Sequence, residues 1–113
     1  MTLSTPWSEA MGLRVPILNA PMGGAAGGRL AAAVIDAGGL GMIGMGSAAT
    51  AVALAAELQE LGDPRGPFGI GLVHWVMAAH PELFEVALAA RPALVCVSFG
   101  AEWSWVRRVH DVG

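Results

Sequence analysis

Lysine is absent from this 113-residue chain, and charged residues of any kind are scarce. The six positive charges are all arginines and face nine acidic residues, which gives a net charge of −3. A nucleic-acid-binding surface needs clustered basic side chains, and the sequence has no such cluster. Charged residues make up 13% of the chain and hydrophobic residues 55%, which is too little polar surface to cover a lone domain of this size. Either a large apolar surface contacts something else, or the chain is part of a larger fold.

Cysteine is almost absent as well, because Cys96 is the only one. An internal disulfide and a cysteine-based metal site are therefore excluded, and the three histidines lack metal-ligand spacing. Residues 1–10 have neither the basic nor the apolar region of a secretory signal. No apolar run reaches the roughly 18 residues of a membrane span. The sequence predicts a cytoplasmic protein with no metal, no membrane partner and no nucleic-acid partner.

Four strand–helix units follow one another along the chain. Strands are predicted at 16–22, 40–46, 68–73 and 93–99, and helices at 29–37, about 50–61, 81–91 and about 104–111. Strands that are apolar on both faces are typical of a parallel sheet covered by helices. The predicted fold class is therefore α/β. An open doubly wound sheet and the first half of a (β/α)8 barrel both fit this order of elements.

Two glycine-rich segments lie in the first unit. Residues 39–44 match the letters G-x-G-x-x-G of a dinucleotide-binding loop. That fingerprint follows a strand and opens a helix, whereas this segment follows a helix and occupies a strand, so we assign its glycines to a helix stop and tight packing. Residues 22–28 lie at the carboxyl end of the first strand, where a glycine-rich backbone can approach a ligand or serve only as a flexible loop. A P-loop is excluded because no lysine is present.

Few side chains suggest catalysis. His74 follows the third strand, within reach of a ligand, whereas His80 and His110 are expected at the surface. Cys96 lies between two valines of a strand and is expected to be an inert core thiol. Three tryptophans follow strand ends and either wall a pocket or pack between units: Trp75, Trp103 and Trp105.

Several short motifs resemble the nitronate monooxygenase family. They are PILNAPMG at 16–23, LAAAV at 30–34, AGGLG at 37–41 and IG at 43–44, and the segments 68–72 and 97–100 fit the family's third and fourth strands. The resemblance implies a TIM-type (β/α)8 barrel that binds FMN. Residues 1–113 would then be a partial barrel domain of four βα units, truncated before strand five. It also implies that the full-length protein oxidises alkyl nitronates with O₂.

The resemblance also implies which residues contact the flavin. The ring would lie against Ala20, Pro21, Met22 and Gly23, with Gly71 as a further contact. Many family members carry asparagine where this chain has Gly71, so one side-chain contact to the flavin is missing. The family's catalytic histidine and phosphate-binding loops belong to the second half of the barrel, and His74 does not match the catalytic position. No catalytic residue is therefore assigned in this chain.

Two alternatives remain open. One is a flavin-dependent enoyl-acyl-carrier-protein reductase of the same superfamily, and the other is a catalytically inactive half-barrel that acts as an assembly module. For the isolated chain we expect no bound FMN and a tendency to self-associate through open sheet edges.

Overall fold

A computed structural model describes residues 3–113, so the first two residues of the predicted domain lie outside the described part. Three strands form one parallel sheet in the order β1-β2-β3. The strands are β1 (Gly41–Gly44), β2 (Phe68–Val73) and β3 (Leu94–Ser98). The helices are α1 (Pro6–Ala10), α2 (Gly28–Asp36), α3 (Ala51–Leu61), α4 (His74–Ala79), α5 (Pro81–Ala89) and α6 (Trp105–Asp111). The three-stranded parallel sheet with helices between its strands confirms the α/β class.

The predicted first strand, 16–22, is wrong. This segment runs beside β1 but joins it through a single parallel bridge, between Leu18 and Leu40. Beyond the bridge, the side chain of Asn19 takes the place of a strand backbone. Its Oδ1 accepts from the Met42 N–H at 2.8 Å, and its Nδ2 donates to the Met42 carbonyl at 3.0 Å. One amide side chain therefore satisfies both backbone groups that a neighbouring strand would bond.

The outer edge of β1 is consequently not open. Leu40 N–H donates to the Ile17 carbonyl at 2.9 Å, and Gly44 N–H donates to the Ala26 carbonyl at 2.8 Å. Together with the Asn19 side chain, these acceptors cover alternate residues along the strand. On the opposite side of the sheet, β3 pairs with no further strand within residues 3–113. The expectation of open edges therefore applies to β3 alone.

The hydrophobic core lies between one face of the sheet and the helices. Side chains alternate between the two faces of a strand, and Ile43, Ile70 and Leu72 on the helix side are 0–2% exposed. Cys96 pairs with Gly71 in the parallel register and so faces the other side, where it is exposed. The prediction of an inert core thiol is wrong, because within the described residues no helix covers this face at the edge strand β3.

The segment that imitates a dinucleotide-binding loop serves packing, as expected. Helix α2 ends at Asp36, and Gly38 adopts a φ of +101° just after the helix, a conformation that glycine adopts without strain. Gly41 lies so close to α2 that a Cβ there would come within 2.8 Å of the Ala31 Cα. Gly38, just before the segment, ends the helix, and Gly41 within the segment lets the strand approach the helix.

Two short helices, α1 and α4, were not predicted. Helix α4 follows β2 without a loop and buries Val76 and Met77 against the core. It ends at Ala79, and after His80 the helix α5 begins with Pro81 at its first position, where the predicted helix 81–91 begins. The residue before a proline avoids the helical region, so one helical stretch becomes two.

Candidate functional site

A cleft of about 410 Å³ opens at the carboxyl ends of the three strands. Its size falls within the range of about 300–1,000 Å³ that is usual for small-molecule sites. It is bounded by residues at and just beyond the carboxyl ends of β1, β2 and β3, and by Pro21 and Gly23 of the segment 21–23. The lining residues are Pro21, Gly23, Met45, Gly46, Ser47, Gly71, Leu72, Val73, Trp75, Ser98 and Phe99.

The cleft brings together three of the five residues predicted to contact a flavin. Pro21, Gly23 and Gly71 line it. Ala20 and Met22 lie beside the cleft but do not line it, and the Met22 side chain is 51% exposed. The contacts to a flavin themselves stay a prediction.

Glycine at two of these positions lets the 21–23 segment lie directly on the strand ends. A Cβ at Gly71 would come within 2.7 Å of the Pro21 Cγ. A Cβ at Gly23 would lie 2.5 Å from the Gly46 nitrogen and 2.6 Å from its Cα. The space that an asparagine would need at position 71 is therefore occupied by Pro21, which gives a structural reason for glycine there.

The loop after Pro21 has both bonded and unbonded backbone groups. The Met22 N–H donates to the Ala20 carbonyl at 3.0 Å, and the Met22 carbonyl accepts from the N–H groups of Ala25 and Ala26. Within residues 3–113, the N–H groups of Gly23 and Gly24 donate to no acceptor. Of these two residues only Gly23 lines the cleft, and an amide donor beside an apolar cleft suits a planar ligand with a polar edge.

No charged side chain lines the cleft. The N-terminus of α2 lies close by, in the kind of position where phosphates bind. Here the Gly28 N–H instead donates to the Glu57 carboxylate at 3.1 Å. Arg29 in the same helix pairs with Glu60 at 3.4 Å. The cleft thus offers an apolar, small-residue surface without a charged side chain to pair with a phosphate group, and the nearby N-terminus of α2 is bonded to Glu57.

His74 lies at the carboxyl end of β2, as predicted, but it faces a loop rather than the cleft. Its Nε2 is 3.6 Å from a carboxylate oxygen of Glu102, and its side chain is 19% exposed. Gly100 lies flat against the imidazole, since a Cβ there would come within 2.7 Å of Nδ1. The Glu102 carboxylate also accepts from the Ser104 N–H. His74 and Ser104 together hold the loop between β3 and α6.

Acidification is expected to loosen this loop. Hydrogen bonds from Ser104, and then the neighbouring His74, lower the pKa of Glu102 below its ordinary value of 4.5. The ionised carboxylate therefore stabilises the loop above about pH 4.5, and this contribution is lost as the pH falls through the lowered pKa. Fluorescence of Trp103 and Trp105, followed from pH 7 downward, measures the change. The Glu102→Gln variant should lack the acid step, and an identical step in that variant would assign it to another group.

Sequence reasoning missed two parts of the cleft. Residues 45–47 and Phe99 lie at or just beyond the carboxyl ends of the predicted strands 40–46 and 93–99, so the rule that ligands collect at the carboxyl ends of parallel strands would have found them. The two functions considered for the tryptophans fit two of the three. Trp75 lines the cleft, and Trp105 packs against the hydrophobic core. Trp103 is 67% exposed and contacts Trp105 of the same unit, with ring centroids 6.4 Å apart.

Other kinds of site are not found in the part of the chain that the structure describes. No group of three or more His, Cys, Asp or Glu side chains there could hold a metal ion. In the same residues, no helix has the length and apolar character needed to cross a membrane.

Comparison with known proteins points to one family. A family model described as nitronate monooxygenase matches residues 4–112. FabK from Thermotoga maritima is 29% identical with a TM-score of 0.86, over 99% of this chain and 36% of that one. The M276A mutant of FabK from Thermotoga maritima is 30% identical with a TM-score of 0.87, over 99% and 38%. No curated protein gives a significant match.

A nitroalkane oxidase from Streptomyces ansochromogenes shares the fold. It is 24% identical with a TM-score of 0.70, over 93% of this chain and 40% of that one. The chain therefore spans between about a third and two fifths of the length of these solved structures.

Proposed function

Because the chain belongs to the nitronate monooxygenase family, we propose that it forms the first four units of an FMN-binding (β/α)8 barrel that oxidises alkyl nitronates with O₂. The observation that carries the proposal is the cleft at the strand ends. The family motif at 16–23 places Pro21 and Gly23 on that cleft, beside Gly71. In barrels of this kind the active site lies at the carboxyl ends of the strands.

The residues of the cleft fit the ring of a flavin. Pro21 and Trp75 supply apolar walls, and the glycines allow a flat group to approach the backbone. The unbonded N–H group of Gly23, which lines the cleft, supplies a donor for the polar edge of the ring. FMN, when bound, supplies the electron-transfer chemistry, and the residues of this chain position the ring and exclude water from one side of it.

The phosphate group of FMN and the catalytic base must be held elsewhere under this proposal. No charged side chain lines the cleft, and Glu57 occupies the N-terminus of α2. Loops after strands seven and eight are the usual phosphate site of such barrels. The length of the solved relatives leaves room for those loops.

When purified alone, the 113-residue chain is expected to carry no FMN and to self-associate. The half-site lacks a phosphate site, and β3 leaves backbone groups unpaired at the sheet edge. Visible absorbance and sedimentation equilibrium test the two expectations. Cys96→Lys places a charge on the exposed face of β3 and should shift the chain toward the monomer. One tightly bound flavin per chain would contradict the proposal that a second half is required.

A flavin-dependent enoyl-acyl-carrier-protein reductase is the second candidate. It is favoured by the 29–30% identity to FabK, against 24% to the nitroalkane oxidase. The two are separated by assaying the FMN-loaded complete barrel. Oxygen uptake with an alkyl nitronate and no nicotinamide supports the first proposal. Oxidation of NADH or NADPH that depends on an enoyl thioester supports the reductase. The absence of both activities supports an inactive assembly module.

A further inference from the structure

Phe99 has a backbone conformation that its side chain disfavours. Its φ is +62°, in the left-handed region where residues other than glycine and asparagine are strained. Its side chain is 80% exposed, so packing within the described residues does not offset the strain. A strained backbone conformation at an aromatic residue beside the cleft suggests a functional role.

The residues that follow Phe99 fix this conformation. Gly100 packs on the imidazole of His74, and Glu102 pairs with the same side chain. On the other side, Ser98 lies in register with Val73 in the β2–β3 ladder. The strained residue is therefore held between two anchored neighbours and is not at the tip of a free loop.

Phe99 is presented to the cleft. It lines the cleft together with Trp75, which is 56% exposed. None of the lining side chains carries a charge. This wall can bind hydrocarbon, and it has no group that would pair with a nitronate anion.

We propose that Phe99 is a specificity-determining residue, whose ring and that of Trp75 contact the hydrocarbon chain of the substrate. The site then prefers alkyl nitronates with long apolar chains to the smallest ones. The inference rests on the proposed function and names the substrate class for the same cleft.

The first test measures kcat/KM for nitronates of two to six carbons in the FMN-loaded complete barrel. Each added methylene should raise kcat/KM by about two- to four-fold, since a fully buried methylene contributes about 0.8 kcal/mol. In Phe99→Asn this increment should fall below about 1.5-fold. Trp103→Ala is the matched control: this aromatic residue of the same loop is 67% exposed and does not line the cleft, so its increment should match the native one. An unchanged increment in Phe99→Asn would overturn the proposal.

The second test is independent of activity. Asparagine tolerates a positive φ, so Phe99→Asn should raise the ratio of folded to unfolded protein by about five-fold in urea unfolding, both in the 113-residue chain and in the complete barrel. A loss of stability in either would show that the ring serves packing, and the proposal would fail. In the Gly100→Ala variant a Cβ would clash with His74 and displace Phe99. The chain-length preference should then fall although the phenyl ring is still present.

A third test separates this proposal from the proposed function. Unreactive n-alkanoates carry a planar anionic group on the same kind of chain, and equilibrium dialysis compares octanoate with butyrate on the complete barrel. Tighter binding of octanoate that is lost in Phe99→Asn, without nitronate turnover, would refute the proposed oxidation but keep the apolar wall. Nitronate turnover without any preference for chain length would support the proposed oxidation and refute the apolar wall.

Discussion

Replacing Asn19 with leucine is expected to lower the free energy of unfolding by about 2–6 kcal/mol. The substitution removes the hydrogen bonds that the amide makes with both backbone groups of Met42. Met42 is 1% exposed, and each buried polar group left without a partner costs about 1–3 kcal/mol. Urea unfolding of the variant and the native chain measures the difference.

Ile17→Ala is the matched control for this substitution. Ile17 lies in the same segment, and its side chain is 59% exposed. Its contribution to β1 is a backbone carbonyl, which accepts from Leu40 N–H whatever the side chain is. The control should stay within about 0.5 kcal/mol of the native chain. If Asn19→Leu also stays within that limit, the amide does not hold the segment on the sheet.

Gly44→Ala is expected to cost about 3 kcal/mol of stability and to weaken flavin binding. A Cβ at this position would lie 2.5 Å from the Met22 nitrogen and 2.6 Å from the Met22 carbonyl carbon. These are backbone atoms, so no side chain can turn aside to relieve the clash. The 21–23 segment must then move off the strand ends, and with it one wall of the cleft.

Gly46→Ala separates this effect from glycine replacement in general. Gly46 also lines the cleft, but a Cβ there meets only the Gly23 Cα, at 3.4 Å, which is an ordinary contact. We expect its stability to stay within about 0.5 kcal/mol of the native chain. Urea unfolding and riboflavin titration of both variants provide the comparison. Equal losses in the two variants would contradict the close packing of the 21–23 segment as the cause.

The regular part of the fold could be predicted from the sequence because its signals are local. The apolar run at 68–73 became β2 with the predicted bounds, and Gly38 and Pro81 mark a helix end and a helix start. The segment at 16–22 could not be assigned correctly, because its apolar residues are those of a strand. At Asn19 the hydrogen bonds to β1 come from a side chain instead of the backbone, and only tertiary contacts show this.

The same limit applies to the site. A motif predicted that the 20–23 segment lies at the ligand-binding end, and Pro21 and Gly23 do line the cleft there. Sequence periodicity did not reveal that Glu57 reaches from α3 to the N-terminus of α2, because that hydrogen bond joins residues far apart in the chain. Nor did it reveal the exposure of Cys96, since an all-apolar strand suggests burial on both faces.

Comparison of FMN and riboflavin binding to the isolated 113-residue chain tests the central claim most directly. The two ligands share the ring and differ in the phosphate group. A chain that holds only the ring side of the site should bind both weakly, with dissociation constants equal within about two-fold by fluorescence titration. If FMN binds more than about tenfold tighter than riboflavin, this chain contains a phosphate site. If neither ligand binds, the chain has no site for the flavin ring. Both results would contradict the account.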